Sequence, residues 1–191
     1  MLESSRRRHR GASPHGCGRP ALSAADEPLI RLVRDDEIEA VGRLVVSAYS
    51  SAYDLNPRYR AELAAVRERA GSQQVWVAVD RGGELLGTVT TPLPGARINA
   101  FSREGDMDLR MLAVPPAARG RGVAKALMRH CMRLGRERGA TRLIFHTGDD
   151  MHLAVALYER MGFERVVEIE RDFPYPPGVW YPVRVYSMPL D

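Results

Sequence analysis

The chain has 191 residues, of which 45% are hydrophobic and 27% charged, a composition typical of one globular domain with a sizeable core. Its formal net charge is +4, and because the arginines are spread along the chain, this charge favours an anionic small ligand over nucleic acid. No apolar run approaches the roughly 20 residues needed to span a bilayer, and no apolar stretch follows the first arginines as in a signal peptide.

The first 27 residues are rich in arginine, serine, glycine, proline and alanine, and Leu2 and Leu22 are their only large aliphatic side chains. Such a segment cannot bury enough apolar surface to order itself. We therefore predict a flexible basic tail over residues 1–27 and a folded domain over residues 28–191. The basic run RRRHR could contact nucleic acid or acidic lipid, but a solvated tail is the simpler interpretation.

The first half of the domain is predicted to hold three strands and two helices. The run LIRLVR is a short strand, and Asp35 or Asp36 is expected to cap the helix that follows. The apolar face of that helix comprises Ile38, Val41, Leu44, Val45 and Ala48. A second helix is predicted from Pro57 to about Ala70, ending near Gly71. VWVAVD and LLGTVTT form strands joined by the hairpin turn RGGE.

The second half begins with a strand over Met107–Val114, which the cluster ARGRG separates from a helix running from about Gly122 to Arg138. TRLIFHT is a further strand, and a short helix over about Met151–Met161 ends at Gly162. ERVVEIER and YPVRVYSMPL form a final antiparallel pair. The order β-α-α-β-β-β-α-β-α-β-β predicts a mixed α/β sheet.

The cluster ARGRG lies where a helix begins directly after a strand. Two prolines stop the strand, and the first N–H groups of the helix have no helical partners. Gly120 and Gly122 lack Cβ atoms, so an anion can approach these N–H groups closely. Positive charge is added by Arg119, Arg121 and Lys125. The pattern predicts a phosphate or pyrophosphate site, and an ordinary tight turn is the alternative.

The stretch LAVPPAARGRGVAKALM resembles motif A of the GCN5-related N-acetyltransferases, whose signature is Q/R-x-x-G-x-G/A. Further along, AVALYERMGF is similar to the family's second signature, in which a tyrosine precedes Gly-Phe by four residues. The element order is also similar, from Leu29 to Leu190. The matching residues are Arg119, Gly122 and Ala124 in the first signature, and Tyr158, Gly162 and Phe163 in the second.

The resemblance implies the acyl-CoA N-acyltransferase fold, an α/β fold with a mixed, mostly antiparallel central sheet flanked by helices. The fourth and fifth predicted strands, Met107–Val114 and Thr141–Thr147, would run parallel and splay apart to admit acetyl-CoA. A main-chain N–H of the fourth strand would stabilise the oxyanion. The residues implied in cofactor binding are Leu112, Ala113 and Val114 beside the pantetheine arm, and Arg119, Gly120, Arg121, Gly122, Val123, Ala124 and Lys125 at the pyrophosphate.

The reaction that the resemblance implies is the transfer of an acetyl group to a primary amine, by direct attack of the amine on the thioester. Tyr158 would be the general acid that protonates the leaving sulfur, with core packing as the alternative. His146 is the candidate base, with Asp149 and Asp150 as rivals that could instead cap the next helix. Met151 stands where relatives often have an asparagine that contacts the cofactor.

The acceptor is expected to be a small-molecule or peptide amine. In the family, the first two helices and the last hairpin shape the acceptor side. Aromatic walls there suit an amine with an apolar or cationic body, although core packing is the alternative. The aromatic residues of these segments are Tyr49, Tyr53, Tyr59, Phe173, Tyr175 and Trp180.

Cysteine usage and charge bear on location and partners. Cys17 and Cys131 form neither a disulfide framework nor a metal pair, which predicts a cytoplasmic protein without a metal. Cys131 lies on the apolar face of its helix, which argues against a covalent acyl-cysteine. Three alternatives stay open: transfer of another acyl group or to an alcohol, a CoA-binding regulatory module without turnover, and a nucleic-acid binder using RRRHR. No membrane partner is expected, and a homodimer is left open.

Overall fold

A computed structural model of the chain describes residues 27–174 and 180–191. The predicted tail lies outside these residues except for Glu27. Among the described helices, none has the length and apolar character needed to cross a bilayer. The helices are α1 (Ile38–Ser50), α2 (Pro57–Ala64), α3 (Val66–Ser72), α4 (Val123–Glu137) and α5 (His152–Arg160). The strands are β1 (Leu29–Leu32), β2 (Gln73–Val79), β3 (Leu85–Pro92), β4 (Asp106–Asp108), β5 (Arg110–Ala113), β6 (Arg142–Gly148), β7 (Glu164–Arg165), β8 (Phe173–Pro174), β9 (Trp180–Tyr181) and β10 (Val183–Pro189).

The main strands form two four-stranded sheets, where the sequence predicted a single one. The first has the order β1-β2-β3-β5 and is antiparallel throughout. The second has the order β4-β6-β10-β7, in which only the β4–β6 pair is parallel. β4 and β5 are successive pieces of the strand predicted over Met107–Val114, and Leu109 alone separates them. The result is the predicted class, a mixed and mostly antiparallel α/β fold flanked by helices.

A β-bulge in β5 accounts for the change of partner. Met111 has φ 53°, and no other described residue except glycine has a positive φ. The register between β3 and β5 shifts between Thr88 and Thr90, which oppose Ala113 and Arg110. One extra residue therefore lies on the β5 side, and such an insertion bends a strand and changes the direction of its side chains.

The core has a layer on each side of the sheets. On one side, α4 and α5 bury Val123, Leu127, Val155 and Tyr158 against β3, β4 and β6. On the other side, α1, α2 and α3 bury apolar residues against β2 and β5, and Met111 belongs to this second layer. The spacing of apolar residues in α1 and α4 predicted these buried faces, since helical residues three and four apart share one side.

Two predictions about the first helices were wrong. Neither Asp35 nor Asp36 caps α1; both lie in a short 3-10 turn, and Glu37 accepts the Arg34 N–H at 3.0 Å and both terminal nitrogens of Arg31. The second predicted helix is two helices, because Ala65 has ψ 55°, which interrupts the helical conformation. Asn56 caps α2 by accepting the Tyr59 N–H at 2.8 Å.

The C-terminal strands are shorter than predicted. β7 pairs with β10 over two residues only, Glu164 and Arg165, and a 3-10 turn over Val167–Ile169 then replaces the rest of the strand. β10 pairs along its whole length with β6, and β8 and β9 form a separate small hairpin. The antiparallel pairing of the two segments is thus confirmed over part of their length.

Candidate functional site

The two parallel strands separate after a short ladder. Asp106–Asp108 pair with Arg142–Ile144, and beyond this point β5 pairs with β3 while β6 pairs with β10. The main-chain groups of β5 and the end of β6 therefore border an opening that no ladder closes in the described chain. The predicted splay is confirmed, and Leu112, Ala113 and Val114 lie along one side of it.

The Arg/Gly turn at the end of this opening presents a row of main-chain donors. Gly120 and Gly122 have φ 74° and 76°, a left-handed conformation that glycine adopts without strain. The first helical bond of α4 runs from the Ala126 N–H to the Gly122 carbonyl at 3.0 Å. Among the described residues, none of the six N–H groups from Gly120 to Lys125 donates to a carbonyl or capping side chain.

These six donors fit a phosphate-bearing ligand. A Cβ built on Gly120 would have no atom within 4 Å, so an anion can approach the backbone there. The donors open a helix of 15 residues, whose dipole favours negative charge at this end. Because they occupy the entrance of the splayed strands, an extended ligand bound here would run into the opening.

The side chains of the turn divide into different roles. The Arg119 guanidinium is held within the protein: its Nη2 donates to the Ala48 carbonyl at 3.0 Å and to Ser51 Oγ at 2.6 Å, and its Nε donates to the Val114 carbonyl at 3.3 Å. The Val123 side chain is buried in the core. Lys125 is exposed, and Arg121 is half-buried. The mobile charge at this site therefore comes from Arg121 and Lys125.

Tyr158 lies on the α5 side of the opening. Its ring packs against Phe145 of β6, with 4.4 Å between ring centroids, and against Phe163 and Tyr186. The side chain is buried, and burial raises the pKa of its hydroxyl well above the ordinary value. A tyrosine in such surroundings stays protonated, which is the state that a proton donor requires, but the raised pKa also makes it a weaker acid.

His146 lies on the other face of the same strand. Successive strand residues point to opposite faces, so His146 points away from the face on which Phe145 meets Tyr158. Its ring packs edge-on against Phe101 at 5.3 Å. Burial, and then the positive charge of Arg110, lower the pKa of His146 to about 4. The imidazole is therefore neutral at physiological pH, which suits a proton acceptor, but its basicity is weak.

The rival acids and Met151 have other partners. Asp149 accepts from Arg184 Nε at 2.5 Å. Neither Asp149 nor Asp150 caps α5, whose N-cap position is held by Met151 without a side-chain bond, so the capping alternative was wrong. Met151 Sδ accepts from Thr147 Oγ1 at 3.3 Å. Asp150 is exposed, and burial, and then the charge of Asp150, raise the pKa of Tyr53.

Three predicted acceptor-side tyrosines cluster on α1, on α2 and in the turn between them. Tyr49 contacts Tyr53 and Tyr59 in edge-on geometry, with 6.0 Å between ring centroids in each pair. Trp180 is not part of this cluster; it is 61% exposed on the β8–β9 hairpin. The side chain of Phe173 and all of Tyr175 lie outside the described residues.

Sequence reasoning missed one charged group at the opening. Arg110, the first residue of β5, forms an ion pair with Glu62 of α2, with 2.6 Å between Nη2 and Oε1. The signal was an arginine inside the apolar run MDLRMLAV, where a charge needs a local reason.

Cys131 is fully buried, and burial raises the pKa of its thiol to about 12. A thiol in this state is a poor nucleophile, as the sequence indicated. Cys17 lies outside the described residues. Within residues 27–174 and 180–191, no three histidine, cysteine or acidic side chains lie together as metal ligands.

Comparison with known proteins supplies independent information on ancestry. The model of the acetyltransferase (GNAT) family matches residues 38–163. The chain is 34% identical over 90 residues to N-acetyltransferase family 8 member 2 of Rattus norvegicus, a match covering 47% of this chain and 38% of the relative. It is 28% identical over 142 residues to mycothiol acetyltransferase of Saccharomonospora viridis, covering 70% of this chain and 45% of the relative. The matches thus span less than half the length of these relatives.

Solved structures share the fold. An acetyltransferase of the GNAT family from Staphylococcus aureus Mu50 superposes with a TM-score of 0.64 at 15% identity, over 85% of this chain and 99% of that one. The Salmonella typhimurium protein yncA, solved with its cofactor acetyl-CoA, superposes with a TM-score of 0.59 at 16% identity, over 86% of this chain and 94% of that one.

Proposed function

The chain belongs to the acetyltransferase (GNAT) family, and from that premise we propose that it transfers an acetyl group from acetyl-CoA to a primary amine. One observation carries the proposal: the strand β5 beside the opening is followed by six main-chain N–H groups that have no partner among the residues the structure describes. An extended cofactor with a pyrophosphate at one end and a thioester at the other matches this combination.

The cofactor is proposed to bind mainly through the backbone. The N–H groups of Gly120, Arg121, Gly122, Val123, Ala124 and Lys125 would hold the pyrophosphate, with the Arg121 and Lys125 side chains adding charge. Main-chain groups of Leu112, Ala113 and Val114 would pair with the pantetheine arm, since none of the described strands pairs with β5 on that side. When bound, acetyl-CoA supplies an activated acetyl thioester. Arg119 contributes by holding the turn in place through its three hydrogen bonds.

Acid and base are proposed to work from opposite faces of β6. Tyr158 on the α5 side would give its proton to the leaving sulfur, and His146 on the other side would accept a proton from the amine. Because the pKa of His146 is about 4, it removes a proton from a free ammonium only weakly, so the amine must arrive largely neutral or pass its proton through water.

Native mass spectrometry and a thiol-release assay test the proposal together. CoA is expected to remain bound to purified protein or to bind when added, and free thiol should appear when acetyl-CoA meets a panel of primary amines. Absence of CoA binding would overturn the proposal.

A second candidate has a specific observation in its favour. The low pKa of His146, together with Met151 at the place of a cofactor-contacting asparagine, is compatible with a CoA-binding regulatory module that does not turn over. CoA binding without thiol release from any amine would select this candidate. A different acyl group is the other alternative, and release from longer acyl-CoA thioesters but not from acetyl-CoA would select it. A cytoplasmic location, a homodimer and the basic tail stay predictions from the sequence.

A further inference from the structure

Arg110 stands at the point where β5 leaves the second sheet. The bulge at Met111 brings the side chains of Arg110 and Met111 to the same face, where Arg110 Nη2 lies 3.8 Å from Met111 Sδ. This face meets α1 and α2, which carry Tyr49 and Tyr59 of the tyrosine cluster, and the turn between these helices carries Tyr53. The bulge therefore directs a guanidinium towards the acceptor side of the opening.

The charges around Arg110 do not balance. Glu62 is its ion-pair partner, but Arg69 of α3 lies beside the same carboxylate-bearing residue and donates to the carbonyls of Glu62 and Leu63 at 2.5 and 2.9 Å. Arg69 is buried, and its Nε has no partner among the described residues. Burial, and then the charge of Arg110, lower the pKa of Arg69 to about 10. Arg69 thus binds main-chain carbonyls while the Glu62 carboxylate pairs with Arg110, so two guanidinium groups lie near one carboxylate and a net positive charge remains.

This excess charge is available to a ligand. The Arg110 side chain is 27% exposed, and within the described chain only its Nη2 has hydrogen-bond partners, which leaves Nε and Nη1 for another acceptor. Burial, and then the charge of Arg110, lower the pKa of His146, so Arg110 lies near enough to act on that residue. Burial raises the pKa of the Tyr49 hydroxyl, and the positive charge of Arg110 opposes that rise. Arg110 therefore lies within electrostatic reach of both walls of the acceptor side.

We propose that Arg110 is an anion-binding residue of the acceptor site and that the acceptor is an amine that also carries a carboxylate, such as an amino acid. This inference rests on the proposed function. A planar guanidinium with two unpartnered N–H groups matches a carboxylate in geometry as well as in charge. The carboxylate forms no covalent bond in the reaction: it holds the amine, whose nitrogen gains the acetyl group and loses a proton as the thiol is released.

Matched acceptors test the charge requirement. Thiol release from acetyl-CoA is measured with α- and ω-amino acids, each beside its primary amide, at a pH where both amines are mostly neutral. Spermidine and aliphatic monoamines complete the panel. The acids are expected to exceed their amides in kcat/KM by roughly 10-fold or more, the size of a charge-assisted hydrogen bond.

Variants locate the preference at Arg110. Arg110→Gln should abolish the preference for acids while leaving affinity for CoA within about 2-fold. Arg67→Gln, at an exposed position of α3, is the matched control and should behave as wild type. Glu62→Gln removes the ion-pair partner but keeps Arg110, so it should preserve or increase the preference. If loss of the ion pair merely perturbed the fold, Glu62→Gln would lose the preference as well.

Two failures are distinguishable. Thiol release with amides, monoamines or spermidine, but not preferentially with the acids, overturns the anion site and leaves the proposed acetyltransferase function intact. An acid preference that persists in Arg110→Gln also overturns it. If no acceptor in the panel supports thiol release, both the anion site and the proposed acetyltransferase function are overturned.

Discussion

Tyr158 and His146, the proposed acid and base, lie on opposite faces of the strand β6. Phe145 and His146 are consecutive residues of β6, yet one faces the aromatic cluster that holds Tyr158 and the other faces Phe101. Burial acts on both groups, and it favours the protonated phenol and the neutral imidazole. Each residue is thereby held in the protonation state that its proposed role requires.

Tyr158→Phe keeps the ring in its aromatic cluster and removes only the hydroxyl. We expect kcat to fall by roughly 100-fold or more, the typical contribution of a general acid, while CoA affinity measured by calorimetry changes little. Tyr186→Phe is the matched control, because Tyr186 belongs to the same cluster and its hydroxyl contacts Glu159 instead. Equal losses of turnover in the two variants would remove Tyr158 from the role of acid.

His130 predicts a pH dependence of stability. It is buried on α4 against Trp76, and burial, and then Arg133, lower its pKa to about 4. The unfolded chain takes up this proton near pH 6.5 but the folded chain only near pH 4, so the free energy of unfolding should fall as pH drops through this window. The fall should amount to about 3 kcal/mol at most.

Chemical denaturation at a series of pH values measures this slope. His130→Phe should flatten it, since the variant has no group to titrate at that position. His146 shifts in the same direction and should contribute to what remains, together with Glu37 and Glu170, whose pKa values are lowered chiefly by hydrogen bonds from Arg31 and Arg165. His152→Gln, at an exposed position of α5, should keep the wild-type slope. A slope unchanged in His130→Phe would mean that the group is not buried as described.

At the scale of elements, the turn before α4 was predictable and the strand before it was not. The spacing of apolar residues and the glycines at 120 and 122 indicated where α4 begins, within one residue. The run MDLRMLAV, by contrast, has the composition of one uninterrupted strand. The strand is interrupted because Met111 adopts a left-handed backbone conformation, which cannot be predicted from the sequence at a residue other than glycine. Similarly, no glycine or proline marks the interruption between α2 and α3 at Ala65, so the sequence did not predict it.

Gly120→Ala should weaken CoA binding more than it weakens the fold. An alanine at positive φ costs about 1 kcal/mol of stability, and its methyl group occupies the space in which an anion would approach. Gly139→Ala is the matched control: Gly139 has φ 71° and equally open surroundings, but follows the far end of α4. Thermal unfolding should show similar losses, and calorimetry with CoA should show a loss for Gly120→Ala alone. Equal CoA affinities in the two variants would argue against the pyrophosphate site.

At the scale of the whole molecule, Arg119 links two segments that lie far apart in the sequence. Its guanidinium binds the carbonyl of Ala48 and the hydroxyl of Ser51 at the end of α1, 71 and 68 positions away. The family signature indicated that an arginine belongs here, but not that its side chain would be used inside the protein. Partners so distant in sequence become visible only when the fold brings them together.

Arg119→Met should therefore affect both substrates. Losing three hydrogen bonds should lower the free energy of unfolding by about 1–3 kcal/mol, and KM should rise for the acceptor as well as for acetyl-CoA, because Tyr49 lies on α1 and Tyr53 in the turn that follows it. Arg121→Met, in the same turn, should raise the KM for acetyl-CoA alone. The expectation fails if the acceptor KM of Arg119→Met equals that of wild type.

The junction at Leu109 has a mechanical consequence. The two sheets meet in one strand, and among the described residues no backbone ladder ties β5 to β6. The stiffness of the gap between them is therefore set by side-chain packing, whose individual contacts are weak, and not by a row of directional bonds. The distance between β5 and β6 is thus expected to change more easily than the structure of either wall, because each wall is held by the hydrogen bonds of its own sheet. We therefore expect a bulkier acyl group to be accommodated by a separation of the two walls as intact units.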